Sequence, residues 1–148
     1  MSRFLLRAVR TVKRAEGGQS LIEFAIVLPV LLALVIGIFE FGRAWNVYQV
    51  ITNAAREGAR TAVVPTTESE DAVYAVIQNY FDRSALDGDL GTVTVDGFQS
   101  GVGQPLTVEI QYPYEFQFLG PIVAFLGDGS GTTPGSITLS TTAVMRNE

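Results

Sequence analysis

Apolar and polar positions divide the 148-residue chain into segments with different periodicities. The most prominent segment is an apolar run from Leu21 to Phe41 that is interrupted only by Glu23 and Glu40. As a helix this run spans about 31 Å, close to the thickness of one hydrocarbon core. The pattern therefore predicts one transmembrane helix over residues 19–41.

Small and apolar residues then recur at three- and four-residue steps, which predicts that the same helix continues over residues 42–64. No helix stop intervenes before Pro65. Two explanations of this face stay open: packing against a sheet, which we favour for most of it, or close packing between helices of neighbouring subunits. The helix-packing residues of this face are Ala44, Tyr48, Ile51, Ala55 and Ala59.

Residues 65–148 have the pattern of a small α+β head. Thr67 and Glu70 have the spacing of a capping box, which predicts a helix from this point to about Arg83. Alternating or β-branched segments then predict a three- to four-stranded antiparallel sheet against the second half of the long helix. The predicted strands are residues 92–95, 106–112 and 136–145.

An apolar excursion over residues 116–126, expected to be a short helix or a loop, separates the second and third strands. It overlaps an aromatic-rich segment from Tyr112 to Phe125. Two explanations of that segment stay open: core, which we favour, or a docking patch for another subunit or for the membrane surface.

Charge gives the chain a direction across the membrane. Residues 1–18 carry five basic residues and one acidic residue, a net charge of +4, so that the rest carries −9 of the total of −5. The positive-inside rule keeps the basic end in the cytoplasm and exports the head. An acidic head also disfavours nucleic acid as a partner, because the two would repel each other.

Composition limits the chemistry that the chain can perform. It has no cysteine and no histidine, which excludes thiol nucleophiles, Ser-His-Asp catalysis and ordinary zinc sites. We expect no catalytic residues, no metal, no cofactor and no enzymatic activity.

The junction between the basic leader and the apolar run is the most informative stretch. Glu23 stands five residues after Gly18, and a carboxylate near the head of a membrane helix costs a few kcal/mol when it is buried deeply. In one explanation Ser20 and Glu23 form a capping box. In the other, which we favour, the chain is cut after Gly18. The new amine at Gln19 then lies about 6 Å along the axis from Glu23, and pairing between neighbouring copies fixes their axial register.

The sequence Gly18-Gln-Ser-Leu-Ile-Glu-Phe24 resembles the class III signal of type IV pilin-like proteins. Glu23 followed by Phe24 is similar to the Flp/Tad branch, and the block Asn-Ala-Ala-Arg-Glu-Gly-Ala-Arg at 53–60 resembles the TadE-like family of Tad pilus pseudopilins. The resemblance covers residues 18–64. It implies that a prepilin peptidase cuts between Gly18 and Gln19, and that Glu23 and Phe24 act in subunit register and assembly.

As a class, the resemblance implies a minor pilin or pseudopilin of the Tad (tight adherence) Flp pilus, with a pilin-like fold. Residues 1–18 would be the cleaved leader, and the partners would be the peptidase, other Tad pilins and pseudopilins, and the inner-membrane assembly platform. The expected location is the bacterial inner membrane, with the head exported and a role in pilus assembly, adherence and biofilm formation. The alternative is a signal-anchored single-pass membrane protein that keeps its leader and has an exported ligand-binding or sensor domain.

Overall fold

The structure is a computed structural model that describes residues 2–118 and 136–148, with side chains from residue 18 onward. Two helices, α1 and α2, precede a short 3-10 turn and three strands, β1 to β3, so the predicted α+β class is confirmed. The chain forms two compact units, of which the first ends at Phe39 and the second begins at Glu40, so that the head, as the term is used from here on, includes the end of α1 as well as residues 65–148. The elements are α1 Ser2–Ala62, α2 Glu70–Arg83, the turn Gly88–Leu90, β1 Thr92–Asp96, β2 Pro105–Glu115 and β3 Ser136–Arg146.

Helix α1 is continuous for 61 residues, which confirms that the apolar run and the small-residue stretch form one helix. It ends three residues before Pro65, as expected where a proline restricts the backbone that precedes it. The charged residues of its last turns, Arg56, Glu57 and Arg60, are exposed to solvent. The opposite side of the same stretch therefore remains free to enter the core of the head.

Helix α2 is confirmed, but the predicted capping box at its start is wrong. The N-cap residue is Ser69, whose side chain makes no capping hydrogen bond. Thr67 is held elsewhere, because its hydroxyl donates to the carbonyl oxygen of Thr61 at 2.6 Å. That bond closes the turn after α1. The spacing of Thr67 and Glu70 had instead predicted that Thr67 caps the start of α2.

The three strands form one antiparallel sheet in the order β1-β2-β3, which confirms the strand predictions. Strand β2 is the central strand, and its alternate residues point into the core. It extends three residues beyond the predicted end, so Tyr114 is buried as well as Tyr112. Core is thus the right explanation for these two tyrosines. The predicted excursion over residues 116–126, apart from residues 116–118, lies outside the described residues.

One apolar core joins α1, α2 and the sheet. Gly58 of α1 faces Ile77 of α2, and a Cβ atom at Gly58 would lie 2.7 Å from Ile77 Cδ1. Ring contact between Phe81 of α2 and Tyr112 of β2, with centroids 6.0 Å apart, links the second helix to the sheet. The largest fully buried side chains are Phe81, Ile51, Ile77, Leu106, Ile110, Glu40, Val73 and Val108.

Candidate functional site

The predicted cleavage site lies within an exposed part of α1. Gly18, Gln19 and Ser20 are all exposed, and, apart from the helix's own backbone and the adjacent residues, no described atom lies within 4 Å of the position that a Cβ of Gly18 would take. The described side chains therefore leave Gly18 uncovered.

Glu23 makes its local contact with the residue that would become the new N-terminus. The amide Nε2 of Gln19 donates to Glu23 Oε1 at 3.0 Å, one helical turn apart. Helix α1 passes through Ser20 without interruption, so in the uncut chain Ser20 is not at a helix start and cannot cap one. Phe24 follows with its ring exposed, as expected of a side chain that meets lipid or a neighbouring helix.

The predicted helix-packing residues lie in the core of the head. Ile51, Ala55 and Ala59 are fully buried, Ala44 is nearly so, and Tyr48 is partly buried against the same cluster. Packing within the subunit thus accounts for the small residues at this end of α1, because they let the second helix and the sheet come close.

A second carboxylate, Glu40, stands at the first residue of the head and was not predicted as a functional residue. Only 1% of it is exposed, and its Oε2 accepts a hydrogen bond from the backbone N–H of Gln117 at 3.0 Å. Arg43 Nη1 lies 3.7 Å from Glu40 Oε1 and donates to Gln117 Oε1 at 2.8 Å. We call Glu40, Arg43, Tyr114, Phe116 and Gln117 the boundary cluster.

The aromatic members complete this cluster. The Tyr114 hydroxyl donates to the carbonyl oxygen of Glu40 at 3.5 Å, and the rings of Tyr114 and Phe116 meet edge to face at 5.3 Å. Burial raises the pKa of Tyr114 above its ordinary 10.0; the nearby Arg43 lowers it and Glu40 raises it. Glu40 Oε1 has no hydrogen-bond partner among the described residues, so Arg43 is the charge that compensates it.

The sequence carries a faint signal for this cluster. Glu40 is the charge that ends the apolar run, and Arg43 follows at the i+3 spacing of a helical ion pair. Gln117 is 77 positions from Glu40, and no periodicity in the sequence connects them. The tertiary fold alone brings the end of β2 to this point of α1.

A comparison with known families matches a segment that includes both the predicted cleavage site and the small-residue face of α1. The family model described as TadE-like protein matches residues 18–60. This segment is TadE-like. The match begins at Gly18 and includes Glu23, which confirms the resemblance expected from the motif. No curated protein and no solved structure matches the chain.

The TadE-like segment also carries the membrane helix. Within the described residues, one helix, Gly18–Ala62, is long and apolar enough to cross a membrane by its length and composition. A single N-terminal helix of this kind in a TadE-like segment fits a membrane-anchored protein. The family further indicates a protein associated with the Tad pilus machinery.

Proposed function

We propose that the chain is a minor pilin or pseudopilin of the Tad Flp pilus, made as a precursor and cut between Gly18 and Gln19 by a prepilin peptidase. The observation that carries the proposal is the contact between Gln19 and Glu23 on an exposed helical turn at the start of the TadE-like match. The residue that would acquire the new amine already touches the carboxylate that would neutralise an amine.

In this proposal the protein is structural rather than catalytic. The apolar half of α1 holds the subunit in the bacterial inner membrane with the leader in the cytoplasm and the head exported. During assembly Glu23 pairs with the amine of a neighbouring copy or of another pilin, where the low dielectric between packed helices strengthens the attraction. The head supplies contacts to the assembly platform and to other pilus subunits, in support of adherence and biofilm formation.

The mature N-terminus tests the proposal directly. We expect the membrane-bound protein to begin at Gln19 in cells with the peptidase, and at Met1 or Ser2 in cells without it, by intact-mass measurement and N-terminal sequencing. Gly18→Val should block the cut, because the added side chain would occupy the open face at the cleavage site.

Gly42→Val is the matched control. Gly42 is an exposed glycine of the same helix with no described atom within 4 Å of its Cβ position apart from the helix's own backbone and the adjacent residues, and it lies far from the cut. This variant should be processed normally. A leader that stays intact in both strains would contradict the proposal and favour a signal-anchored protein with a ligand-binding or sensor head.

A further inference from the structure

Gln19 is the residue whose chemistry changes most at the proposed cut. In the precursor its backbone nitrogen belongs to the peptide bond with Gly18, where resonance makes it a poor nucleophile. After the cut the same nitrogen is a free α-amine, part of which is unprotonated and nucleophilic at neutral pH. The carbonyl carbon that this amine can reach within its own residue is Cδ of the Gln19 side chain, and attack there closes the stable lactam ring of pyroglutamate.

This cyclisation balances without any co-reactant. The α-amine forms a C–N bond to Cδ, the bond between Cδ and Nε2 breaks, and Nε2 leaves as ammonia with the proton that the amine gives up. No electrons are transferred to or from another molecule. The lactam nitrogen of the product is neutral, so a cyclised N-terminus lacks the cation that pairing with Glu23 of a neighbouring copy requires.

The contact between Gln19 and Glu23 opposes the reaction. Gln19 Nε2 donates to Glu23 Oε1 at 3.0 Å, between residues four positions apart on α1. Ring closure requires the carboxamide to fold back onto the nitrogen of its own residue, whereas this bond holds it against the next turn of the helix. The acceptor also disfavours the loss of ammonia, because Nε2 must gain a proton to leave and an ionised carboxylate has none to give.

We infer that Glu23 protects Gln19 from cyclising to pyroglutamate once the leader has been removed, and so preserves the amine of the mature N-terminus. Glu23 acts here as a positioning residue, through the hydrogen bond that its side-chain oxygen accepts. The inference rests on the proposed cut after Gly18. It adds a second function to the charge that Glu23 would supply between copies.

One carboxylate can serve both functions. Oε1 accepts from Gln19, and Oε2 can accept from the amine of a neighbouring copy, because each carboxylate oxygen is an acceptor in its own right. An exposed side-chain pair at this spacing on a helix is weak, although a charged acceptor strengthens it. We therefore expect the bond to slow cyclisation about two- to fivefold.

The test follows the N-terminus after a cut made in vitro. Full-length protein in detergent micelles carries the recognition sequence of a site-specific protease, inserted directly before Gln19, so that no prepilin peptidase is needed. The cut protein is incubated for days, and mass spectrometry of its N-terminal peptide gives the fraction that has lost one ammonia. Glu23→Ala should cyclise about two- to fivefold faster than the protein with Glu23.

Two further variants separate the hydrogen bond from other effects. Glu23→Gln keeps a side-chain oxygen that can accept from Gln19 and should cyclise at nearly the rate of the protein with Glu23. Leu21→Ala shortens a 70% exposed side chain on the same turn and should also leave the rate unchanged.

A Glu23→Ala variant that cyclises no faster than the unsubstituted protein would overturn the inference. So would a rate for Glu23→Gln or Leu21→Ala that equals the rate for Glu23→Ala, since the accepted hydrogen bond would then not be the protecting contact. These rates are measured whether or not cells cut after Gly18. A leader that stays intact in cells would instead contradict the proposed function, whatever the rates are.

Discussion

At the scale of single residues, Gly58 determines how closely the two helices of the head approach. A Cβ atom there would lie 2.7 Å from Cδ1 and 2.8 Å from Cγ1 of Ile77. Ile77 is only 1% exposed, and its β-branched side chain has few alternative rotamers within the core. The site therefore has no room for a larger residue.

We predict that Gly58→Leu destabilises the head by about 1–3 kcal/mol, because overpacking displaces α2 from α1. The measurement is denaturant unfolding of the full chain in detergent micelles, followed by the near-ultraviolet circular dichroism of its aromatic rings. Gly42→Leu is the control: it lies on the same helix, with no described atom within 4 Å of its Cβ position apart from the helix's own backbone and the adjacent residues, and should not destabilise the head. Equal effects at the two sites would show that the close approach is not limiting.

At the scale of elements, the loop between β1 and β2 depends on Gly97, which has no room for a side chain and whose carbonyl is held by a hydrogen bond. Gly97 has φ of +79°, and a Cβ atom there would clash with the backbone oxygen of Pro105. Its own carbonyl accepts a hydrogen bond from Asn147 Nδ2 at 3.0 Å. Asn147, which follows β3, thus holds the loop between β1 and β2 by a hydrogen bond to its backbone.

We predict that Gly97→Ala costs about 2–4 kcal/mol of stability, since a left-handed backbone conformation and a backbone clash are both imposed. Gly103→Ala separates these two effects. Gly103 has nearly the same φ, +81°, but open space around its Cβ position, so it should cost only about 1–2 kcal/mol. The same unfolding measurement applies, and a cost at Gly103 that matched the cost at Gly97 would remove the clash from the explanation.

Local periodicity in the sequence predicts most of the helices and strands. The remaining features depend on contacts between residues that are far apart in the chain. The run of α1, the buried face of α2 and the alternation of β2 each follow from local spacing, so the sequence predicted them. The start of α2 was misplaced because Thr67 has two local options, and its bond to Thr61 depends on how the chain turns after α1. From the sequence, Glu40 is only a charge near the end of the apolar run, since its partner Gln117 lies just after β2, far along the chain.

At the scale of the whole molecule, two carboxylates bracket the apolar run and are used differently. Glu40 is buried and is paired within its own head, by a hydrogen bond from Gln117 and an ion pair with Arg43. Glu23 is exposed, and its contact in the single chain is the neutral amide of Gln19. In a bilayer the neutral amide of Gln19 does not compensate the negative charge of Glu23. A partner molecule can therefore supply the compensating cation.

We therefore predict that Glu23→Ala leaves cleavage after Gly18 largely intact but strongly reduces incorporation into pili, measured by the ratio of sheared surface protein to membrane protein. Glu23→Gln distinguishes the two explanations of this residue. Its side-chain oxygen can still accept from Gln19, so a purely local hydrogen bond would be preserved and assembly would remain normal. Pairing with a neighbour's amine requires the charge, so we expect Glu23→Gln to be as defective as Glu23→Ala. Normal incorporation of both variants would contradict a register role for Glu23 and leave it only a local function within α1.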